Sequence, residues 1–115
     1  MGAEFLIGIM EYAAPTIVTI ATGVLTITQG AHTVAAEAGV ADDLATISLD
    51  SDLVTSAAGT TYRPFLILQA DTGDTITVKQ NTGNILMGDG ADFSLTENNV
   101  LFLWYNGTNW YSIGE

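Results

Sequence analysis

Thr16-Ile-Val-Thr-Ile-Ala-Thr-Gly-Val-Leu-Thr-Ile-Thr28 is the stretch that decides the fold class. β-Branched residues fill it, and apolar side chains alternate with hydroxyls. A period of two puts Val18 and Ile20 on one strand face, and Leu25 and Ile27 on one face of the next strand. Two strands joined at Thr22-Gly23 are therefore expected. The wider segment, residues 5–36, has one charged side chain, Glu11, but Pro15, Gly23, Gly30 and repeated threonines interrupt it. No run approaches the ~18 consecutive apolar residues that a membrane-crossing helix needs.

The same chemistry continues along the chain. His32-Thr-Val34 predicts a short strand, Thr46 to Leu49 another, and Pro64-Phe-Leu-Ile-Leu-Gln-Ala70 a compact apolar one. Asp71-Thr-Gly-Asp74 suits a four-residue hairpin loop into Thr75-Ile-Thr-Val-Lys-Gln80. Thr82-Gly-Asn84 and Gly88-Asp-Gly-Ala-Asp92 are turn signals on either side of Ile85-Leu-Met87, and Phe93-Ser-Leu95 follows. Val100-Leu-Phe-Leu-Trp-Tyr105 and Trp110-Tyr-Ser-Ile113 flank Asn106-Gly-Thr-Asn109, and Asn-Gly between apolar runs is among the better hairpin signals. Only residues 37–47 differ. There Asp42 or Asp43, ahead of Leu44 and Ile47, predicts one capped helical or 3₁₀ turn. Short strands with turn signals every eight to twelve residues imply an all-β chain, expected as a small antiparallel β-sandwich or barrel of about eight strands. An extended N-terminal arm, residues 1–15, is expected ahead of a single β domain, residues 16–115.

At 115 residues there is room for one core. Charged residues are 13% of the chain, with two Lys+Arg (Arg63 and Lys79) against thirteen Asp+Glu and a formal net charge of −11. Two cations cannot neutralise a row of phosphates, so nucleic-acid binding is not expected, and neither is docking on an anionic membrane. The chain has no cysteine, which rules out disulfides, thiolate metal sites and cysteine nucleophiles. Met1-Gly-Ala-Glu4 has an acid where a secretion signal has basic residues, so no such signal is expected.

Two strands are apolar on both faces. Phe65 and Ile67 oppose Leu66 and Leu68, while Val100, Phe102 and Trp104 oppose Leu101, Leu103 and Tyr105. A small sandwich has water on its outer faces, so apolarity on both sides calls for a second cover. A loop, the N-terminal arm or a neighbouring subunit can supply it. The nearly uncharged N-terminal segment raises the same problem and favours the subunit, so contact between subunits is expected at Phe5, Leu6, Ile7, Ile9, Ile17, Ile20, Phe65, Ile67, Phe102 and Trp104. Trp104, Tyr105, Trp110 and Tyr111, placed in an apolar hairpin, read first as core or interface packing; stacking on a glycan is the alternative, with Trp110 and Tyr111 its candidates.

The polar motifs point to turns rather than to chemistry. Gly88-Asp-Gly-Ala-Asp92 has the core of a calcium-binding nonapeptide repeat, but in a single copy and with Ser94 at the apolar packing position. Asp42-Asp43, Asp89 and Asp92 read as turn and cap carboxylates that bond backbone N–H groups. His32, the only histidine, reads as a hydrogen-bonded packing residue. No G-x-S-x-G elbow or P-loop occurs, and Asn106-Gly-Thr108 reads as a turn rather than a glycosylation site. No catalytic residue, metal ligand or cofactor is expected, and the chain is read as not an enzyme.

Gly30-Ala-His-Thr-Val34, followed by Glu37 and by Asp42-Asp-Leu-Ala-Thr-Ile47, resembles a pattern in β-rich structural proteins of tailed bacteriophages. Phe65-Leu-Ile-Leu68, Thr75-Ile-Thr-Val-Lys79, Thr82-Gly-Asn-Ile85 and Tyr105-Asn-Gly-Thr-Asn-Trp110 continue the resemblance in order. It implies a non-catalytic virion module, expected as a homotrimer. A short chain with a largely apolar arm, charged only at Glu4 and Glu11, suits a capsid decoration (cement) protein on the outer surface of a phage head, bound to the major capsid protein or other virion proteins. The alternative it implies is a tail-fibre or receptor-binding module that contacts host glycans. The resemblance carries over no catalytic or ligand residue.

Overall fold

A computed structural model describes residues 14–50 and 65–113. Its regular structure is all strand: β1 (Thr16–Thr19), β2 (Val24–Ile27), β3 (Ala31–Ala35), β4 (Ala41–Leu44), β5 (Thr46–Leu49), β6 (Phe65–Ala70), β7 (Thr75–Val78), β8 (Ile85–Leu86), β9 (Phe93–Leu95), β10 (Leu101–Tyr105) and β11 (Trp110–Ser112). The expected all-β class is found, with eleven short strands rather than about eight. Residues 1–13, most of the expected arm, lie outside the described residues.

The strands form three sheets: a six-stranded one ordered β1-β3-β6-β10-β11-β8, a two-stranded β2-β5, and a three-stranded β4-β7-β9. The pairing is mixed rather than purely antiparallel. β1–β3, β3–β6, β2–β5, β4–β7 and β8–β11 run parallel, whereas β6–β10, β10–β11 and β7–β9 run antiparallel. The corners between strands explain this. At Thr22-Gly23 both φ angles are positive, 52° and 78°, and Ala21 and Val24 exchange two backbone hydrogen bonds of 2.9 and 3.0 Å. This is the expected two-residue reversal, but β1 and β2 then diverge into different sheets. The chain comes back to the first sheet one winding later and pointing the same way, so β3 and then β6 stack parallel on β1, as in a solenoid.

Asp71–Asp74 behaves likewise. Asp74 N–H donates to the Asp71 carbonyl at 2.9 Å and Gly73 has φ 84°, yet β6 and β7 belong to different sheets. The turn is present where expected, but the hairpin is not. The expected helical turn at Asp42-Asp43 is also replaced, by β4. The N–H of Thr75 donates to Val40 and that of Lys79 to Leu44, both at 2.8 Å, so a parallel ladder with β7 overrides local capping preference. Only the closing hairpin, β10–β11, pairs as its sequence predicts. There the Asn106 Oδ1 accepts the N–H groups of Thr108 and Asn109, each at 2.9 Å.

All three sheets feed one core. Leu25, Ile27 and Ile47 enter from the two-stranded sheet, and Leu44, Ile76, Val78 and Leu95 from the three-stranded one. The six-stranded sheet adds Val34, Leu66, Leu68, Leu101, Leu103 and Trp110. Burying each such Leu or Ile favours the fold by about 1.5–3 kcal/mol relative to leaving it in water.

Candidate interaction face

The inward set of the six-stranded sheet fixes its outward set, because strand side chains alternate. Cross-strand register places Ile17 beside Thr33, Ala31 beside Ile67, Ile67 beside Phe102, Phe65 beside Trp104, and Trp104 beside Tyr111. Tyr111 in turn neighbours Leu86. Val100 and Ile113 stand in step with the outward residues of β10 and β11, and Ile113 N–H extends the ladder to the Phe102 carbonyl at 2.9 Å. The result is an apolar band that crosses the sheet. Its aromatic groups pair up: the Phe65 and Phe102 rings lie 5.6 Å apart, and Trp104 and Tyr111 lie 6.4 Å apart.

Ile17 is 62% exposed, Val100 56%, Ile113 42% and Trp104 39%, while Phe65, Ile67, Phe102 and Tyr111 are partly covered. None of the six strands contains Asp, Glu, Lys or Arg. Among the described residues, the carboxylates sit instead at corners and on β4.

Most of the expected contact residues within the described part are brought together here: Ile17, Phe65, Ile67, Phe102 and Trp104. Ile20 is a correction, since it is 1% exposed and belongs to the core. Phe5, Leu6, Ile7 and Ile9 lie outside the described residues. Of the two candidates for the glycan alternative, one is lost to core packing. Trp110 is 0% exposed and stacks inward on Tyr105 with ring centroids 4.7 Å apart, whereas Tyr111 faces outward beside Trp104. Ala31, Thr33, Leu86 and Ile113 join the face unforeseen. Only Ile113 had a local signal, its alternation with Tyr111; the others arrive through pairing register.

The polar residues secure this sheet and its neighbours. His32 is buried in β3. Its Nε2 accepts the Thr28 N–H at 3.0 Å, so the ring proton sits on Nδ1, which lies 3.1 Å from the Thr16 hydroxyl and 3.2 Å from the Thr16 carbonyl oxygen. The ring thus ties the start of edge strand β1 to the β2–β3 corner, in the packing role expected of it. Burial lowers its pKa, partly opposed by the bond to the Thr16 carbonyl.

Asp92, from the Gly-rich turn, accepts the Gln80 N–H at 2.8 Å and an ion pair from Lys79 Nζ at 2.9 Å. The Gln80 bond first, and Lys79 second, lower its carboxyl pKa; Asp92 in turn raises that of the Lys79 ammonium. Asp42 accepts the N–H groups of Glu37 and Asp43, and Asp89 accepts that of Ala91. Among the described residues no group of three or more His, Cys, Asp or Glu could hold a metal ion.

No relative identifies the chain. No protein-family model, curated protein or solved structure matches it.

Proposed function

We propose that this chain is a virion structural protein, a capsid decoration (cement) protein that binds the outside of a phage head as an oligomer. One observation carries the reading: a six-stranded sheet with no ionised side chain, on a chain of net charge −11. Exposed aromatic and aliphatic side chains gathered on one uncharged face are what a monomer avoids and an assembly component buries. The role is mechanical, with no catalytic step, cofactor or metal. Binding only the assembled shell stabilises it by mass action. The acidic remainder, turned to solvent, keeps decorated particles apart. Phe5, Leu6, Ile7 and Ile9 supply a second contact in this reading, made to the major capsid protein or another virion protein. Self-association, expected as a homotrimer from the resemblance, accompanies decoration.

The test is co-sedimentation of the full chain with undecorated heads and, separately, with tails. Saturable binding to heads is expected, and Phe5→Asp with Ile7→Asp should weaken it at least about tenfold without altering thermal unfolding. Binding to neither particle refutes the proposal.

A second reading rests on the Trp104–Tyr111 pair, two exposed or half-exposed rings 6.4 Å apart. Such rings can stack on sugars, which suits a tail-fibre or receptor-binding module. Binding to tails, with tryptophan fluorescence changing on titration with host glycan and lost in Trp104→Ser, would favour it over decoration.

A further inference from the structure

We infer that the outer face of the six-stranded sheet, centred on Phe102 and Trp104, is the surface on which copies of this chain pack against one another. The inference deepens the assembly reading by naming the partner that covers this face.

Charge selects the occupant. Two copies, each at −11, repel in every orientation that brings their corners or β4 edges together, because almost no cations are present to offset the carboxylates. Lys79, the one cation in the described residues, is already engaged by Asp92. Contact through the six-stranded sheet holds the described carboxylates of both copies away from the interface, and the other uncharged sheet, β2–β5, turns mainly hydroxyls (Thr26, Thr46 and Ser48) outward. A basic partner behaves oppositely: the field draws it to the acidic corners, and the face gives it nothing to pair with. Among the described residues, no other uncharged face gathers exposed large apolar side chains for a second copy to cover.

The distribution of apolar side chains agrees. Of the five large hydrophobic residues left exposed among those described, Ile17, Val100, Trp104 and Ile113 belong to this face, and only Val40 lies elsewhere. The ring pairs Phe65–Phe102 and Trp104–Tyr111 occupy its centre, where an interface gains most from aromatic anchors. Size sets the strength. Six strands spaced ~4.8 Å apart and roughly 16 Å long give roughly 400 Å² in plane, about half the ~800 Å² per partner of a standard interface. The contact is therefore reversible and concentration-dependent.

Salt separates a like-charged partner from an oppositely charged one. Screening shortens from about 20 Å to a few ångströms between about 0.02 M and 0.5 M salt, so repulsion between copies falls and self-association tightens. Binding to a basic partner weakens over the same range.

The experiment is sedimentation equilibrium of the full chain at both salt levels, from micromolar to millimolar protein. Reversible association that tightens with salt is expected. Trp104→Ser and, separately, Ile17→Thr should each raise the dissociation constant, the former at least about tenfold. Val40→Ser, which removes an equally exposed apolar side chain elsewhere, should leave it unchanged. Thermal unfolding of each variant establishes that all three fold. A monomer at both salt levels, association that weakens with salt, or association indifferent to Trp104→Ser and Ile17→Thr overturns the inference. Monomeric protein that still binds heads through Trp104 gives the face to a virion partner, overturning self-association while leaving decoration itself standing. Self-association without binding to heads or tails does the reverse.

Discussion

Replacing Gly83 with alanine should lower the unfolding free energy by about 3 kcal/mol or more, a large effect for a single methyl group at an exposed position. A Cβ there would lie 2.2 Å from the Ala45 carbonyl oxygen, 2.2 Å from the Thr46 Oγ1 and 2.9 Å from the Ala45 carbonyl carbon. The hydroxyl can rotate away, but a backbone carbonyl cannot. Overpacking typically costs about 1–3 kcal/mol, and a rigid obstacle places this case at or above the upper end. The close approach exists because Asn84 acts as an extra strand on β5. Its Oδ1 accepts the Ile47 N–H at 2.9 Å, and its Nδ2 donates to the Ile47 carbonyl at 2.8 Å. Its own carbonyl accepts the Trp110 N–H at 2.7 Å. One residue thus closes an open edge of the two-stranded sheet and ties it to β11. Asn84→Ala should cost about 2–3 kcal/mol, since two hydrogen bonds vanish and two part-buried backbone groups lose their partner. Urea denaturation reads both variants. Midpoints within experimental error of the wild type would show that the Gly83-Asn84 seat does not hold the sheets together.

Asn84 also illustrates what the sequence could not disclose. Thr82-Gly-Asn84 was legible as a turn, because turn chemistry is local. That its amide would complete a strand ladder almost forty residues earlier in the chain was not, because pairing register is set by tertiary contact. Strands follow the same division. The strand character of Thr16–Thr19, Val24–Ile27 and Phe65–Ala70 could be read from alternation and β-branching. The Thr22-Gly23 reversal was equally plain, but nothing local says that its two strands part company after Ala21 and Val24. Asp42-Asp43 misled for a related reason: capping preference is worth about 1 kcal/mol, less than a ladder with β7 supplies. The candidate face was half legible. Phe102 and Trp104 were visible as an extra apolar side, but Leu101, Leu103 and Tyr105 are just as apolar, so alternation could not say which set points inward. Trp110 and Tyr111 inherit that ambiguity, which is why one of the two candidate glycan residues lies in the core.

His32 should make the fold sensitive to mild acid. The Thr28 N–H already points at Nε2, so a second ring proton would set donor against donor at 3.0 Å. Burial is the larger cause of the lowered pKa, and the bond from Nδ1 to the Thr16 carbonyl, which favours the cation, only partly opposes it. The unfolded chain therefore takes up the proton first. Stability is complete above the ordinary histidine value of about 6.5 and falls as the pH drops from there toward the lower folded value, below which the loss levels off. Most carboxylates titrate below about pH 5, so measurements between about pH 7.5 and 5.5 isolate the ring. The glutamine variant provides the control, because an amide can accept from Thr28 and donate to Thr16 without titrating. His32→Gln should flatten the pH dependence. His32→Leu should cost about 2–3 kcal/mol already at neutral pH by stranding the Thr28 N–H and the Thr16 oxygens. Amide hydrogen exchange locates the effect: the protection of Thr28 and of the β1–β3 ladder should fall before that of β6 and β10, since the ring ties down an edge strand and a corner rather than the centre of the sheet. Equal pH slopes for the wild type and His32→Gln would remove the histidine from the account and leave β1 held by its ladder alone.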